Sequence, residues 1–202
     1  MRLVQACAVF VVVGLLAPGL AEAQEADSKL WIGAGVGLSP AGTLKVKVAN
    51  EEQSADTVTG YQINGLIDIR VAPHVSIGFA PGILFNIKSS GDTTSATELD
   101  LPVRLTLDSV VAPKIRMYGF VSPGYTILFP PSDGDGNNVL GHPSGFMVGF
   151  GGGIGIRVAP KVIVTGELGY QFRFASNTVQ NVDFSIDVNY LTLALGLVVA
   201  VD

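Results

Sequence analysis

The sequence predicts an all-β chain: an eight-stranded antiparallel up-and-down transmembrane β-barrel. Three observations carry this expectation. A five-residue phrase occurs three times, as Val71-Ala72-Pro73-His74-Val75, Val111-Ala112-Pro113-Lys114-Ile115 and Val158-Ala159-Pro160-Lys161-Val162, at spacings of 40 and 47 residues. The stretches flanking each copy alternate apolar and polar residues, the period of a strand with one apolar face. Mean hydropathy is high, +0.46, yet past the N-terminal segment no apolar run reaches the roughly 18 residues of a membrane helix.

The N-terminal segment reads as an export signal. Met1-Arg2 precedes an apolar run over residues 3–16, followed by Ala17-Pro18-Gly19 and the small-x-small pattern Ala21-Glu22-Ala23. The run is too short to span a bilayer, so cleavage is expected after Ala23, leaving one barrel domain over 24–202. The single cysteine, Cys7, lies in the segment that leaves, and the mature chain is expected to hold no thiol, disulfide or cysteine metal site. Removing Arg2 and Glu22 takes the basic residues from 12 to 11 and the acidic ones from 17 to 16, a net charge of −5 that gives no reason to expect nucleic acid.

The strands follow in order. Leu30, Ile32, Ala34, Val36 and Leu38 share one face of the first, opposite Trp31, Gly33, Gly35 and Gly37. Tyr61, Ile63, Ile67 and Ile69 mark the second, and Val75, Ile77, Phe79, Ile83 and Phe85 the third, across the first Ala-Pro turn. Leu99, Leu101, Val103, Leu105 and Leu107 form the fourth; Ile115, Met117, Val121, Tyr125, Ile127 and Phe129 form the fifth. Phe146, Val148, Phe150, Ile154 and Ile156 rise in the sixth, and Val162, Val164, Leu168, Tyr170, Phe172 and Phe174 return in the seventh. Leu191, Leu193, Leu195, Leu197 and Val199 close the series. Proline has φ preset for a turn and no N–H for a ladder, so the three Ala-Pro units mark short reversals at one end. Residues 39–59, 89–96, 131–145 and 176–183 are longer and polar, and are expected as four loops at the other end. Pro81, Pro102 and Pro123 fall within strands, where bulges or bends are expected.

The polar faces decide which side meets lipid. They are mostly Gly, Ser, Thr, Ala and Asn, while the six lysines of the mature chain keep to turns, loops and strand ends. Arg70, Arg104, Arg116, Arg157 and Arg173 all lie on polar faces. An arginine facing lipid at mid-depth costs about 2–4 kcal/mol, so these point inward and the apolar faces point outward. The aromatics agree. Tyr61, Phe85, Tyr125, Phe146 and Phe172 stand 11 to 13 residues from the nearer member of their Ala-Pro pair, all on the apolar face. Strands rising about 3.3 Å per residue at a tilt of about 40° put such residues on the order of 25–30 Å above the turns, as one girdle at the far rim of the apolar band.

A signal segment, eight alternating strands, glycine-rich inner faces and brief Ala-Pro turns resemble the small OmpA-like and OmpX-like outer-membrane barrels of Gram-negative bacteria. The resemblance spans the mature chain and implies an outer-membrane location, three periplasmic turns and four extracellular loops. It also implies contact with outer-membrane lipid and lipopolysaccharide, passage through the outer-membrane assembly machinery, and a monomer. Such proteins usually end in an aromatic residue, whereas this sequence ends Val199-Ala200-Val201-Asp202.

Eight strands enclose a space that side chains just fill. Tyr118 and Phe120 are expected to face Gly149, Gly151, Gly153 and Gly155, large against small. Arg104 lies 8 residues before its Ala-Pro pair and Glu167 7 after its own, which brings them level across the lumen. Asp68, Arg70, Asp108, Arg116 and Arg157 form a second tier nearer the turns, and Arg173 completes the lumen charges. Buried charges persist when paired, so a salt-bridge network is expected. This reading makes the chain a non-enzymatic barrel with a structural or surface-interaction role, its loops open to an extracellular ligand. The alternative is a narrow porin-like pore for small solutes or ions, gated by Arg104 and Glu167.

No cofactor or metal is implied. His142-Pro143-Ser144 has the His-x-Ser spacing that resembles lipid A deacylases, a remote third reading, but no carboxylate is placed to orient His142. Asp133-Gly134-Asp135-Gly136-Asn137 opens like a calcium loop but has neither Gly at its sixth position nor Glu at its twelfth. Gly149 to Gly155 fails the spacing of a nucleotide-binding loop.

Overall fold

Backbone hydrogen bonds close one antiparallel sheet on itself. The computed structural model describes residues 29–48, 51–89, 92–131, 141–179 and 182–201. The expected signal segment, 1–23, and the Asp133–Asn137 motif lie outside them. Ten strand segments are present among the described residues: β1 (Leu30–Val48), β2 (Glu51–Asp56), β3 (Gly60–Ala72), β4 (Val75–Phe79), β5 (Gly82–Ile87), β6 (Ala96–Ala112), β7 (Ile115–Phe129), β8 (Ser144–Ala159), β9 (Val162–Val179) and β10 (Val182–Val201). β1 pairs with both β10 and β3, and β4 and β5 each bridge β3 to β6, so the ladder runs once around the ring. β2 continues the stave of β3, and β4 and β5 are two halves of another, which reduces the ten segments to the expected eight staves.

The three Ala-Pro units build the same device. Ala72 faces Val75, Ala112 faces Ile115 and Ala159 faces Val162, with a register shift just before each. The extra residue is Val71, Val111 or Val158, so each hairpin is a two-residue turn behind a one-residue bulge. Among the described residues the sole non-glycine with positive φ is Asn86. The second turn residues His74, Lys114 and Lys161 therefore keep negative φ, which excludes a type II turn and leaves proline leading a type I turn.

At the other end two of the four expected loops are shorter than expected, while those near 89–96 and 131–145 keep their length. β1 and β2 turn much of 39–59 into strand, and β9 and β10 extend to Val179 and from Val182. The reason is a change of phase. Along β10, Leu193, Leu195 and Leu197 point outward and are 44–67% exposed, while above them Phe184, Ile186, Val188 and Tyr190 point inward and are buried. No register shift separates the two runs, so the strand does not slip. Its surroundings change instead, from lipid to water, between Leu191 and Asn189. β1 makes the same switch through a bulge between Leu38 and Ala41, after which Leu44 and Val46 pack inward and Lys45 stands opposite Asp187. The four segments thus rise past the apolar band as a sheet with an ordinary water-facing polarity.

The strand prolines act differently from one another. Pro81 splits its stave into β4 and β5; Gly65 N–H donates to Pro81 O at 2.8 Å. Pro102 stays within β6 opposite Gly124, where an added Cβ would run into the Pro102 backbone. The β6–β7 ladder then skips Val103 and Arg104, which stand opposite Ser122 and Pro123, without losing register. Asn86 sits in a further bulge, between Leu84 and Ile87, with φ 64° and its amide donating to Thr59 O at 2.8 Å. Asn tolerates this left-handed geometry, and the bulge lets both Leu84 and Ile87 face the interior.

The phase change yields a prediction. Leu195→Arg, in the middle of the outward apolar run, should lower unfolding stability in lipid bilayers by about 2–4 kcal/mol. Ser185→Arg, on the same outer face above the switch, should change it by less than about 1 kcal/mol. Equal losses at both positions would mean that the lipid boundary is misplaced.

Candidate functional site: the charged lumen

The lumen is built in layers, each set by the inward half of the strand alternation. Nearest the turns, Asp108 on β6 receives Arg70 from β3 at 2.9 Å and Arg116 from β7 at 2.8 Å. His74 Nδ1 lies 3.8 Å from the other oxygen of the same carboxylate. The Arg116 guanidinium lies 5.7 Å from the centre of the Trp31 ring, which is buried with Ile163 and Ala200. Arg157 is half-buried on the inner face of β8 beside the third turn. Asp68 accepts from the Ser76 hydroxyl one strand away.

At mid-height Arg104 grips Glu167 with both prongs, Nη1 to Oε2 at 3.2 Å and Nη2 to Oε1 at 2.8 Å. Tyr118 donates to Glu167 Oε1 at 2.9 Å, and the guanidinium lies 3.9 Å from the centre of the Phe120 ring. A charge-assisted pair stacked on an aromatic face is held at both ends. The rings find room because Gly151 and Gly153 lie behind them. A Cβ on Gly153 would come within 2.6 Å of the Tyr118 ring, and one on Gly151 within 2.9 Å of Phe120. Gly149 and Gly155 serve other neighbours, Gln171 and Ile163.

The third layer is the most deeply buried. Arg173 on β9 is 1% exposed and binds Asp100 on β6, with Nη2 2.5 Å from Oδ2 and Nε 3.2 Å from each carboxylate oxygen. Glu98, also 1% exposed, lies 3.1 Å from Arg173 Nε. Thr126 Oγ1 sits 2.5 Å from Glu98 Oε1 and 2.8 Å from Asp100 Oδ1. Arg173 also donates to the Gln171 amide oxygen and lies 4.9 Å from the Tyr190 ring centre. An apolar cap begins at this layer, with Leu84 and Leu128 in register with Glu98 and Val188 in register with Arg173, and continues away from the turns through Ile87, Ala96, Ile186 and Phe184, while Tyr190 packs in from opposite Gln171.

Sequence reasoning set Arg173 in the lumen but did not name its partners. The spacing that levels Arg104 with Glu167 also levels this group: Asp100 stands 12 residues before Ala112 and Arg173 13 after Pro160. The carboxylates Glu98 and Asp100, two apart on one polar face, were the available signal. A cavity of about 150 Å³ runs through the layers, lined by Asn64, Asp68, Arg104, Thr106, Glu167 and Thr192 among others. Its walls mix these polar groups with apolar ones such as Phe120 and Ile163, and its volume suits on the order of five waters held by the polar groups.

On the outer surface Tyr61 stands opposite Phe85, and Tyr125 opposite Phe146, all exposed. Phe174 is the register neighbour of Phe146 on β9, while Phe172 packs against Tyr170 and Phe150 with ring centres 4.9 and 6.0 Å away. Ser144 accepts from the Tyr125 hydroxyl at 2.7 Å, and the His142 ring lies 5.0 Å from Phe129. His142 and Ser144 are thus engaged with different aromatic residues. Among the described residues no group of three or more His, Cys, Asp and Glu side chains is arranged to hold a metal ion.

Residues 8–191 match the family described as outer membrane protein beta-barrel domain. The structure is similar to Neisserial surface protein A, with a TM-score of 0.56 at 13% identity over 85% of this chain and 97% of that one. It is also similar to the outer membrane protein OprG of Pseudomonas aeruginosa, with a TM-score of 0.59 at 12% identity over 87% of this chain and 97% of that one. No curated protein sequence matches. At these identities the likeness is one of fold.

Glu167→Ala should cost about 3–5 kcal/mol, because it leaves the buried Arg104 guanidinium without its carboxylate partner. Replacing both partners together, Arg104→Met with Glu167→Leu, should cost far less. Trp31 is the single tryptophan, so its fluorescence through a urea titration in lipid reads both.

Proposed function

Because the chain belongs to the outer membrane protein β-barrel domain family, we propose that this integral protein of the Gram-negative outer membrane is non-enzymatic, keeps its lumen shut and acts through its extracellular surface. The observation that carries this reading is the stacking of barriers. The Asp108 layer, the Arg104–Glu167 pair and the Arg173 layer cross the lumen at successive heights, and an apolar cap lies over the last. A hydrated ion moving through would have to break each in turn, and then leave water to pass Leu84, Leu128 and Phe184. On this reading the apolar belt contacts outer-membrane lipid and lipopolysaccharide, the assembly machinery inserts a monomer, and an extracellular ligand meets the risen sheet and loops.

The second reading, a narrow pore gated by Arg104 and Glu167, is favoured by the cavity beside that pair. Planar-bilayer recording separates the two. The parent protein should show no conductance steps, and Arg104→Ala should remain silent because the Arg173 layer and the cap still close the path. Discrete steps from the parent, or steps released by Arg104→Ala alone, would establish the pore and end the closed reading. Liposome swelling with small sugars gives the matching measurement for neutral solutes, with no swelling expected.

A further inference from the structure

The hydroxyl of Thr126 has one proton and two carboxyl neighbours. Its Oγ1 lies 2.5 Å from Glu98 Oε1 and 2.8 Å from Asp100 Oδ1, both hydrogen-bond distances. It donates to one of them and can only accept from the other. A carboxylate has nothing to donate, so one of the two groups must be a carboxylic acid. The charges require the same proton. Glu98, Asp100 and Arg173 are 1%, 6% and 1% exposed, and two carboxylates against one guanidinium would leave a net negative charge out of water.

The contacts say which group holds it. Arg173 engages Asp100 through both Nε and Nη2, whereas Glu98 has a single approach, Nε at 3.1 Å. Asp100 is therefore the anion. The Glu98 acid donates to Thr126, and Thr126 donates to Asp100. Every element packed on the group offers neutral company: Leu84 from β5, Leu128 from β7, Met147 from β8, and Gln171 and Tyr190 from β9 and β10. Arg173 is the single cation facing it among the described residues, since Arg104 is held by Glu167.

We propose that Glu98 binds one proton at neutral pH and that this proton latches the extracellular cap. Glu98 lies in register between Leu84 and Leu128, two residues of the cap. As an acid it sits there without net charge. Opening the cap exposes it to water, where the proton leaves for bulk solvent at any pH above the ordinary glutamate value of about 4.3. Each pH unit above that value makes opening about tenfold more favourable, until the closed site loses its proton as well. Cap stability is thus highest in acid and declines as pH rises. The proposal concerns the cap itself and holds whether or not the lumen conducts.

Side-chain carboxyl 13C NMR of the protein in lipid nanodiscs tests the charge state, with Glu98→Gln for assignment. One carboxyl resonance at the protonated position at pH 7, absent from Glu98→Gln, is expected; a parent in which Glu98 and Asp100 are both ionised at pH 7 overturns the proposal. Amide hydrogen exchange tests the latch. Protection factors at Phe184, Ile186 and Val188 should fall about tenfold per pH unit above about pH 4.3 in the parent and stay level in Glu98→Gln, which mimics the acid. Equal pH dependence in the two proteins overturns it too. Should Glu98→Gln fail to insert, Thr126→Val, which breaks the relay, still allows the carboxyl assignment, and the parent titration alone decides the charge state.

Discussion

Everything in this molecule follows from the need to satisfy backbone N–H and C=O groups where no water reaches them. A sheet meets that need in lipid only by closing, because an open edge would leave a row of unpaired groups in hydrocarbon. Closure fixes the rest. Once β1 meets β10 as well as β3, each residue has one of two directions, and alternation assigns it to lipid or to the lumen. The three bulged Ala-Pro turns let neighbouring staves reverse within two residues at one end.

Turning the apolar half outward creates the second problem, since every charge of the spanning strands is driven into a narrow shared space. Eight staves leave no room for a wide aqueous channel, so the charges must find each other. Near the turns they do so along the ring, where Asp108 takes Arg116 from the adjacent β7, and higher up they do so across it. Arg104 and Glu167 come from β6 and β9, as do Asp100 and Arg173, so opposite walls are tied by ion pairs as well as by the ladder. Glycine makes the tie possible. Where Tyr118 and Phe120 reach inward from β7, the neighbouring β8 strand gives way with Gly151 and Gly153.

The outward alternation, the turns, the stave count and the levelling of Arg104 with Glu167 were legible in the residues, because a period of two and a constant rise turn sequence position into height. The same ruler reaches Arg173 and Asp100, yet Glu98 and Asp100 read as ordinary polar-face residues of a patterned strand, so the residues alone do not single the pair out. The risen sheet is hidden in the sequence for a different reason. Residues 39–59 and 176–183 are polar and contain turn formers, which suggests loops, and they lack the outward apolar face that marks a spanning strand. The sign of a strand passing into water is instead the adjacent apolar pair Tyr190-Leu191, where alternation changes phase without a bulge. Asn86 and its bulge left no trace that propensity could separate from a turn.

That change of phase also explains where the most buried charges sit. Below it the lumen wall is polar because the outside is lipid; above it the interior is apolar because the outside is water. Glu98, Asp100 and Arg173 lie at the junction, with the cavity beneath, Leu84, Leu128 and Val188 beside them and Ile186 and Phe184 above. A cation placed lower would share the water of the lumen, and one placed higher would have no polar neighbours at all. At the junction it has carboxyl partners from β6 on one side and the Tyr190 ring on the other, and it joins the membrane-spanning wall to the cap. The two halves of the barrel, built on opposite rules for what faces inward, are therefore joined through one guanidinium that contacts the spanning wall and the cap together.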